Sequence, residues 1–224
     1  MKKIPGKFQS KETQEYFIRK IDGIYKQAQL WKCILLFSDA MHQIHNSEVG
    51  YAWQERWRIH TKILLSNTGR ARLNITGAYN PITTEAITQI EETNCNIDST
   101  KRFLTLLRTS YPGTGTSTHP NRTIPILLIL DNARYQKAYE VQEYAKTLNI
   151  QLHYLPAYSP NLNLIERFWK YTKKVLVRNQ YYETFTEFIW AFESFFSLLK
   201  IPDNRHQYEL QSLLTMKFEV IMNY

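Results

Sequence analysis

The segment from Ile124 to Leu130 limits the fold of this chain more than any other, because apart from Pro125 it contains only Ile and Leu. It is too short for a buried helix and does not alternate between apolar and polar residues. Such a run predicts a central strand that is covered on both faces, which is typical of the parallel part of an α/β sheet. An acidic residue, Asp131, follows it directly.

A second apolar run, Trp31 to Phe37, also predicts a buried strand and ends in Ser38 and Asp39. The stretches Tyr51 to Arg58 and Arg72 to Tyr79 alternate between apolar and polar residues, and Ile82 to Ile90 could add a further strand. An antiparallel meander followed by parallel strands predicts an α/β fold with an RNase H-like mixed sheet, flanked by helices.

Helical spacing of apolar residues predicts the elements that cover this sheet. The predicted helices are Ser10 to Leu30, Ser99 to Leu107, Gln136 to Leu148, Ser159 to Val177 and Thr184 to Leu199. A strand, Ile150 to Leu155, follows the third helix and completes a β-α-β unit. We therefore expect one α/β domain over residues 31–200, with a helical extension at 1–30 and a helical tail at 201–224.

The charge of the chain favours a polyanionic partner. Lys and Arg number 28 against 20 Asp and Glu, which gives a formal net charge of +8. Nucleic acid is the first candidate, although many basic proteins bind none. Cys33 and Cys95 form no CxxC pair, and no stretch is apolar enough for a secretory signal or a membrane span. We expect a soluble protein of a reducing cytosol that does not contact membranes.

Three acids stand where a sheet of this kind gathers its ligands. Asp39 and Asp131 follow buried strands, and Glu166 lies early on the helix after the next strand, with 34 residues between the last two acids. Each acid alone is an ordinary turn or surface residue. Together they suit phosphodiester cleavage with two Mg²⁺ ions, because this ion prefers a few carboxylate oxygens and keeps several waters.

The strings around these acids carry a resemblance to a known family. LILDNARYQKA and LPAYSPNLNLIERFWKYTKK resemble the second and third acid motifs of mariner-superfamily transposases, particularly those of bacterial insertion sequences. FSDAMHQIHN is similar to the first motif, and TGRARLNITGAYN to a strand of that family. Gln136 stands where relatives often have His, Leu164 where they often have Pro, and Ala40 where many have Glu.

The resemblance implies a DDE transposase with an RNase H-like catalytic domain. Asp39, Asp131 and Glu166 would be its catalytic and metal-binding residues, with two Mg²⁺ or Mn²⁺ ions in each active site. Such an enzyme cuts double-stranded DNA at transposon ends and joins the freed 3′ hydroxyl to target DNA, typically at TA dinucleotides. It further implies a homodimer on DNA in the bacterial cytoplasm, at the nucleoid. Relatives recognise their ends with a helix-turn-helix region, so we expect that either a separate chain supplies this region or the present chain is a fragment of a longer protein.

Other polar residues near the acids are candidates for orienting the site or contacting DNA. Asn132 could orient a phosphate or a metal-bound water, or could equally be a turn residue that caps a helix. His42 and His45, three residues apart, fit DNA contact or support of the acids better than a zinc site. The remaining candidates are Asn163, Arg167, Lys170, Lys173, Lys174, Arg70 and Arg72.

Two other functions remain open from the sequence. The first is an RNase H-like nuclease or resolvase that cleaves without strand transfer. The second is a domesticated DNA-binding protein without catalysis, which the basic charge and the departures at Gln136 and Leu164 would allow. Formation of joined DNA products would distinguish a transposase from the nuclease or resolvase. Metal binding at the acids would distinguish it from the non-catalytic DNA-binding protein.

Overall fold

The computed structural model describes residues 10–48, 63, 65–67, 69, 71–91, 94–112 and 124–221. Its centre is a five-stranded sheet with the order β3-β2-β1-β4-β5. The strands are β1 (Ile34–Ile44), β2 (Arg72–Tyr79), β3 (Ala86–Glu91), β4 (Ile126–Leu130) and β5 (Ile150–Tyr154). Strands β1, β2 and β3 pair antiparallel, whereas β4 and β5 run parallel to β1. The predicted mixed sheet is confirmed.

Helices cover both faces of this sheet. They are α1 (Lys11–Gln29), α2 (Ile97–Ser110), α3 (Tyr139–Thr147), α4 (Ile165–Leu176), α5 (Phe185–Leu198) and α6 (Arg205–Leu213). One core cluster joins α1, α4, α5 and α6 to one face of the sheet, and a second joins α2 and α3 to the other. Among the described residues, no helix has the length and apolarity that crossing a membrane requires.

Several helices begin where their capping residues predict. Ser10 caps α1, and its hydroxyl accepts a hydrogen bond from the backbone N–H of Thr13. Thr184 caps α5 and forms a capping box with Glu187. Helix α2 begins at Ile97, two residues before the predicted start, because Asn96 caps it. Short polar side chains thus set these boundaries.

The prediction for the first strand is wrong at both ends, because β1 begins at Ile34 and continues to Ile44. Asp39 therefore lies within the strand, opposite Gly77 of β2, and not beyond its end. The parallel pairing of β1 with β4 stops at Phe37. Beyond that residue only β2 continues the ladder, so Asp39 still lies past the parallel part of the sheet, beside the end of β4.

Other boundaries differ because local turns precede the elements. Helix α3 begins at Tyr139, three residues later than predicted, since residues 133–137 form hydrogen-bonded turns. A 3-10 turn (Pro160–Leu162) precedes α4, so the helix predicted from Ser159 is two elements. Strand β3 begins at Ala86, because a turn precedes it. In this turn the side-chain Oδ1 of Asn80 accepts hydrogen bonds from two backbone N–H groups.

Two predicted segments need separate mention. The predicted strand Tyr51 to Arg58 lies outside the described residues. In the described part of the predicted tail, residues 201–221, helix is confined to α6, and residues 214–221 continue without helix, with Leu214 in the core and Met216 and Phe218 packed against it. Side chains of α1 and α6 belong to the same core cluster as the sheet.

The closest approach of a helix to the sheet occurs at Gly77. A Cβ atom at this position would lie 2.5 Å from Cη2 of Trp169 and 2.7 Å from its Cζ2. The indole ring of α4 therefore lies directly on the backbone of β2, where any larger residue would displace it. This contact fixes the distance between α4 and the sheet.

We expect Gly77→Ala to destabilise the protein by about 1–3 kcal/mol, because the added methyl group overpacks a rigid core. Gly23→Ala is the matched control, since Gly23 lies within α1 with nothing within 4 Å of an added Cβ. The control should stabilise the protein by about 0.5–1 kcal/mol, because Ala favours a helix. Urea unfolding of both variants measures the difference. Equal stability of the two variants would show that the contact at Gly77 imposes no constraint.

Candidate active site

The three predicted acids come together in one cleft of about 490 Å³. Asp39 comes from β1, Asp131 directly follows β4, and Glu166 lies in the first turn of α4. The segment from Leu155 to Pro160, which follows β5, forms the opposite wall. The cleft therefore lies at the carboxyl edge of the parallel strands, where the sequence predicts it.

Backbone and amide groups hold the loop that carries Asp131. The backbone N–H of Ala133 donates to Oδ1 of Asp131 at 3.2 Å. The side-chain amide of Asn132 donates to the backbone carbonyl of Leu155 at 2.6 Å, which ties the end of β4 to the end of β5. Asn132 lines the cleft, but this amide is engaged in holding its walls together.

Asn163 ties the start of α4 to the strand of the first acid. Its side-chain amide donates to the backbone carbonyl of Ser38 at 3.1 Å, next to Asp39. Asn163 is buried, and its Oδ1 has no hydrogen-bond partner among the described residues. Because Glu166 lies three residues later, this single hydrogen bond holds the first and third acids in register.

Burial and neighbouring acids raise the pKa values of Asp39 and Glu166. Burial raises the pKa of Asp39 to about 7, and the charges of Glu166 and Asp131 contribute to this rise. The backbone N–H of Ala40 and the Lys173 ammonium act in the opposite direction. Burial and Asp131 also raise the pKa of Glu166, against Lys173. Negative charge is thus concentrated here without full compensation, which is typical of functional sites.

The donor set fits a hard divalent cation. The acids of the cleft offer carboxylate oxygen atoms, which Mg²⁺ and Mn²⁺ prefer, and their mutual repulsion would be relieved by a cation. Within the described part of the chain, no three His, Cys, Asp or Glu side chains form a ready-made cage for one ion. Mg²⁺ is usually bound by one or two carboxylates with several waters, so it does not need such a cage.

Lysines follow Glu166 along α4. Lys170 and Lys173 come four and seven residues later, which places them on the same face of the helix as Glu166. Lys173 lies close enough to the acids to lower the pKa of both Asp39 and Glu166. Lys170 and Lys174 are exposed. The basic run therefore borders the acidic cleft, and Lys173 reaches it.

Arg167 has a different environment from the lysines. Its guanidinium donates to the backbone carbonyls of Thr215 at 2.8 Å and Lys217 at 2.5 Å, and it lies over the ring of Phe218. These contacts bind the segment that follows α6. These contacts give Arg167 a structural role, and its predicted contact with DNA stays a prediction.

Of the two predicted arginines near β2, the structure describes only Arg72, which does not line the cleft. Arg72 is exposed and donates to the side-chain carbonyl of Asn94. Arg70 lies outside the described residues. Their predicted contact with DNA stays a prediction.

The structure separates the two histidines. His42 lies in β1, three residues after Asp39, so strand alternation points it to the opposite face of the sheet. Its Nδ1 is 2.6 Å from Oδ1 of Asn74 on the neighbouring strand. His45 is buried between aromatic rings and its Nε2 is 2.9 Å from the carbonyl oxygen of Tyr182. The hydrogen-bond partners of the two histidines are thus not the acids, and His45 has a structural role.

Two tyrosines near the site escaped the sequence analysis. Burial raises the pKa of Tyr135, and the Cys95 thiol and the charges of Asp131 and Asp39 raise it further, so this side chain lies beside the acids. Tyr158 lines the cleft, is 61% exposed and has a φ of 56°. A non-glycine residue in that conformation is uncommon and is found at functional sites. Both lie within the strings that resemble the second and third acid motifs, although neither was among the predicted site residues.

A second cavity, of about 140 Å³, lies at the opposite edge of the sheet, near the starts of β1 and β4. Its walls are mainly apolar and include Trp31, Ile34 and Ile124. No carboxylate lines it. The chemistry that the acids can support therefore belongs to the larger cleft.

Comparison with solved structures identifies the fold. The chain matches the Mos1 transposase paired-end complex with left transposon end at a TM-score of 0.69 and 13% identity, over 96% of this chain and 62% of that chain. It matches the catalytic domain of Mos1 mariner transposase at a TM-score of 0.61 and 13% identity, over 94% of this chain and 92% of that one. These likenesses confirm the RNase H-like transposase fold.

The comparisons also define how much of a relative this chain represents. It spans 62% of the length of the Mos1 chain in the paired-end complex, and 94% of it aligns with the Mos1 catalytic domain alone. No curated protein sequence matches the chain significantly. The predicted membership of the bacterial insertion-sequence branch stays a prediction.

The family follows from the sequence match and from the cleft together. Residues 7–189 match the family model of the DDE superfamily endonucleases. This range contains all three acids that line the cleft. The chain belongs to the DDE superfamily endonuclease family.

Proposed function

We propose that this chain is the catalytic domain of a DNA transposase, which cleaves phosphodiester bonds at transposon ends and joins the freed 3′ hydroxyl to target DNA. The observation that carries the proposal is the convergence of Asp39, Asp131 and Glu166 in one open cleft. The acids come from three separate elements of the family's fold. Two of them carry raised pKa values.

Asp39, Asp131 and Glu166 would hold two Mg²⁺ or Mn²⁺ ions. Crystal structures of the Mos1 paired-end complex were obtained with Mg and with Mn, which supports divalent metal use in this fold. When bound, a pair of such ions neutralises the phosphate, activates the attacking oxygen and stabilises the leaving oxygen.

The carboxylates of the cleft and Lys173 would have different roles in the reaction. The carboxylates of the cleft accept protons only weakly once a cation is near, so they act as fixed ligands. Lys173 offers an ammonium group beside the acids for a phosphate oxygen. In the first transfer, the water oxygen bonds to phosphorus as the P–O3′ bond breaks, and the products are a 5′ phosphate and a 3′ hydroxyl. In the second, that hydroxyl bonds to a target phosphorus and displaces its 3′ oxygen.

The partners of the proposed enzyme are double-stranded DNA and a second copy of the chain. The Mos1 relatives were solved in complexes with transposon ends, and the net charge of +8 favours DNA here. Residues 31–200 would form the catalytic unit, with helical segments at 1–30 and 201–224 packed beside it. A separate helix-turn-helix chain would select the ends, in the cytoplasm of a bacterium, at the nucleoid.

Asp131→Ala should reduce cleavage at least about a hundredfold, because Asp131 would bind the metal directly. Loss of a residue that only orients a metal ligand reduces metal affinity or activity roughly 10- to 100-fold, and loss of the ligand itself should cost more. The assay uses labelled duplexes from the DNA flanking the coding region, with Mg²⁺ or Mn²⁺ and the product of any adjacent helix-turn-helix reading frame. Cleaved and joined products are resolved by electrophoresis.

The control for this experiment is Asp22→Asn, which changes an exposed acid of α1 and should leave both products unchanged. Cleavage that survives Asp131→Ala at the wild-type rate would refute the proposal. Cleavage without joined products would replace the transposase by a nuclease that shares the same site.

Asp39→Asn should stabilise the metal-free protein at pH 8 by at least about 1 kcal/mol, since each unit of pKa shift corresponds to about 1.4 kcal/mol. The pKa of Asp39 rises from 3.8 to about 7 on folding. Between these values the folded state binds more protons than the unfolded state, so wild-type stability falls as pH rises through this window. Asn does not ionise and avoids that loss.

Urea unfolding in EDTA at pH 4 and pH 8 measures this effect. The advantage of Asp39→Asn should be absent at pH 4 and present at pH 8, and Mg²⁺ should then stabilise the wild type more than the variant. Asp22→Asn, on the exposed side of α1, should show no such dependence. An Asp39→Asn profile parallel to that of the wild type would contradict the assignment.

Lys173→Gln should weaken DNA binding and reduce the slope of log K against log salt by about 1, as expected for one lost phosphate contact. Lys146→Gln is the control, because Lys146 lies on α3, where it pairs with Glu143. Fluorescence anisotropy with a labelled duplex at several salt concentrations measures both slopes. Identical slopes for the two variants would remove Lys173 from the DNA interface.

A further inference from the structure

Gln136 lies in the turn between β4 and α3 and has not been assigned a role. Its side chain is only 5% exposed. With the amide NH₂ directed at Asp131, it donates to the carboxylate Oδ1 at 2.5 Å and to the backbone carbonyl of the same residue at 3.2 Å. The backbone N–H of Ala133 donates to the same Oδ1. One carboxylate oxygen therefore receives two neutral donors.

Gln136 is itself held in place by contacts that do not involve Asp131. Its backbone N–H donates to the carbonyl of Ala133 at 3.1 Å. Its backbone carbonyl accepts a hydrogen bond from the hydroxyl of Tyr154, at the end of β5, at 3.0 Å. The backbone of Gln136 is thus tied to the loop after β4 and to the end of β5, which fixes the position from which its side chain reaches Asp131.

We propose that Gln136 is a positioning residue that fixes the rotation of the Asp131 carboxylate for metal binding. The inference rests on the proposed function, because it concerns the same site. Two hydrogen bonds to Oδ1 restrain the torsion of the carboxylate, so the direction of its second oxygen is set before a cation enters. Groups that orient metal ligands in this way change metal affinity although they do not touch the ion.

The neutrality of the amide is part of this role. An Arg or Lys at the same place would also donate to Asp131, but its positive charge would compete with the cation for the carboxylate. The amide orients the carboxylate and leaves its negative charge in place. It also keeps the same charge at every pH, so the restraint does not depend on protonation.

Isothermal titration calorimetry of this chain with Mn²⁺ tests the role. Gln136→Met has nearly the same volume but cannot donate, and we expect it to weaken Mn²⁺ binding about 10- to 100-fold. Gln142→Met is the matched control on the exposed side of α3 and should bind as the wild type does. Gln136→Asn keeps the amide on a shorter side chain and should give an intermediate affinity.

Thermal unfolding in EDTA shows whether Gln136→Met is folded, and Gln136→Asn supplies the comparison if it is not. High Mn²⁺ concentration should restore cleavage by the Gln136 variants but not by Asp131→Asn. If the Gln136 variants were only structurally defective, added Mn²⁺ would not restore their cleavage. If both Gln136 variants bind Mn²⁺ as tightly as the wild type while Asp131→Asn loses binding, the positioning role of Gln136 is refuted but the proposed metal site is not. Wild-type affinity in Asp131→Asn would overturn the proposed metal site together with that role.

Discussion

The close approach of α4 to the sheet sets the geometry on which the site depends. Trp169 lies on the backbone at Gly77, where a Cβ atom would be 2.5 Å from the indole ring. Gly77 is the antiparallel partner of Asp39, and Glu166 precedes Trp169 by three residues, almost one helical turn. One packing contact therefore brings the helix acid to the strand acid. The absence of a side chain at Gly77 makes this distance possible.

The site holds its acids with neutral groups and so leaves their charge available. Asn163 joins α4 to the strand of Asp39, and Asn132 joins the ends of β4 and β5. An ion pair at either place would hold the elements equally well but would neutralise part of the negative field. The consequence is a folded state that is destabilised without a cation, because burial and repulsion raise the pKa of Asp39. Sites that bind charged ligands commonly trade stability for function in this way.

The sequence predicted the parts of this molecule that follow from local patterns. The apolar run before Asp131 and the capping residue Ser10 correctly located β4 and α1. The sequence did not predict boundaries that a partner strand or a turn determines. Strand β1 extends to Ile44 because β2 continues to pair with it after the pairing with β4 stops. The place of His45 among aromatic rings depends on α5, which is 140 residues away along the chain and leaves no local signal.

The segment after α6 shows that the contacts that position α4 extend beyond the motif that carries Glu166. Two backbone carbonyls of this segment accept hydrogen bonds from Arg167, and the side-chain amide of Asn161 in the 3-10 turn donates to a third, that of Glu219. The backbone of Ile221 exchanges hydrogen bonds with the Gln14 side chain of α1. Residues from both ends of the described chain thus brace the turn that begins α4. The position of Glu166 is therefore a property of the whole domain, and the basic residue next to it, Arg167, helps to hold the fold.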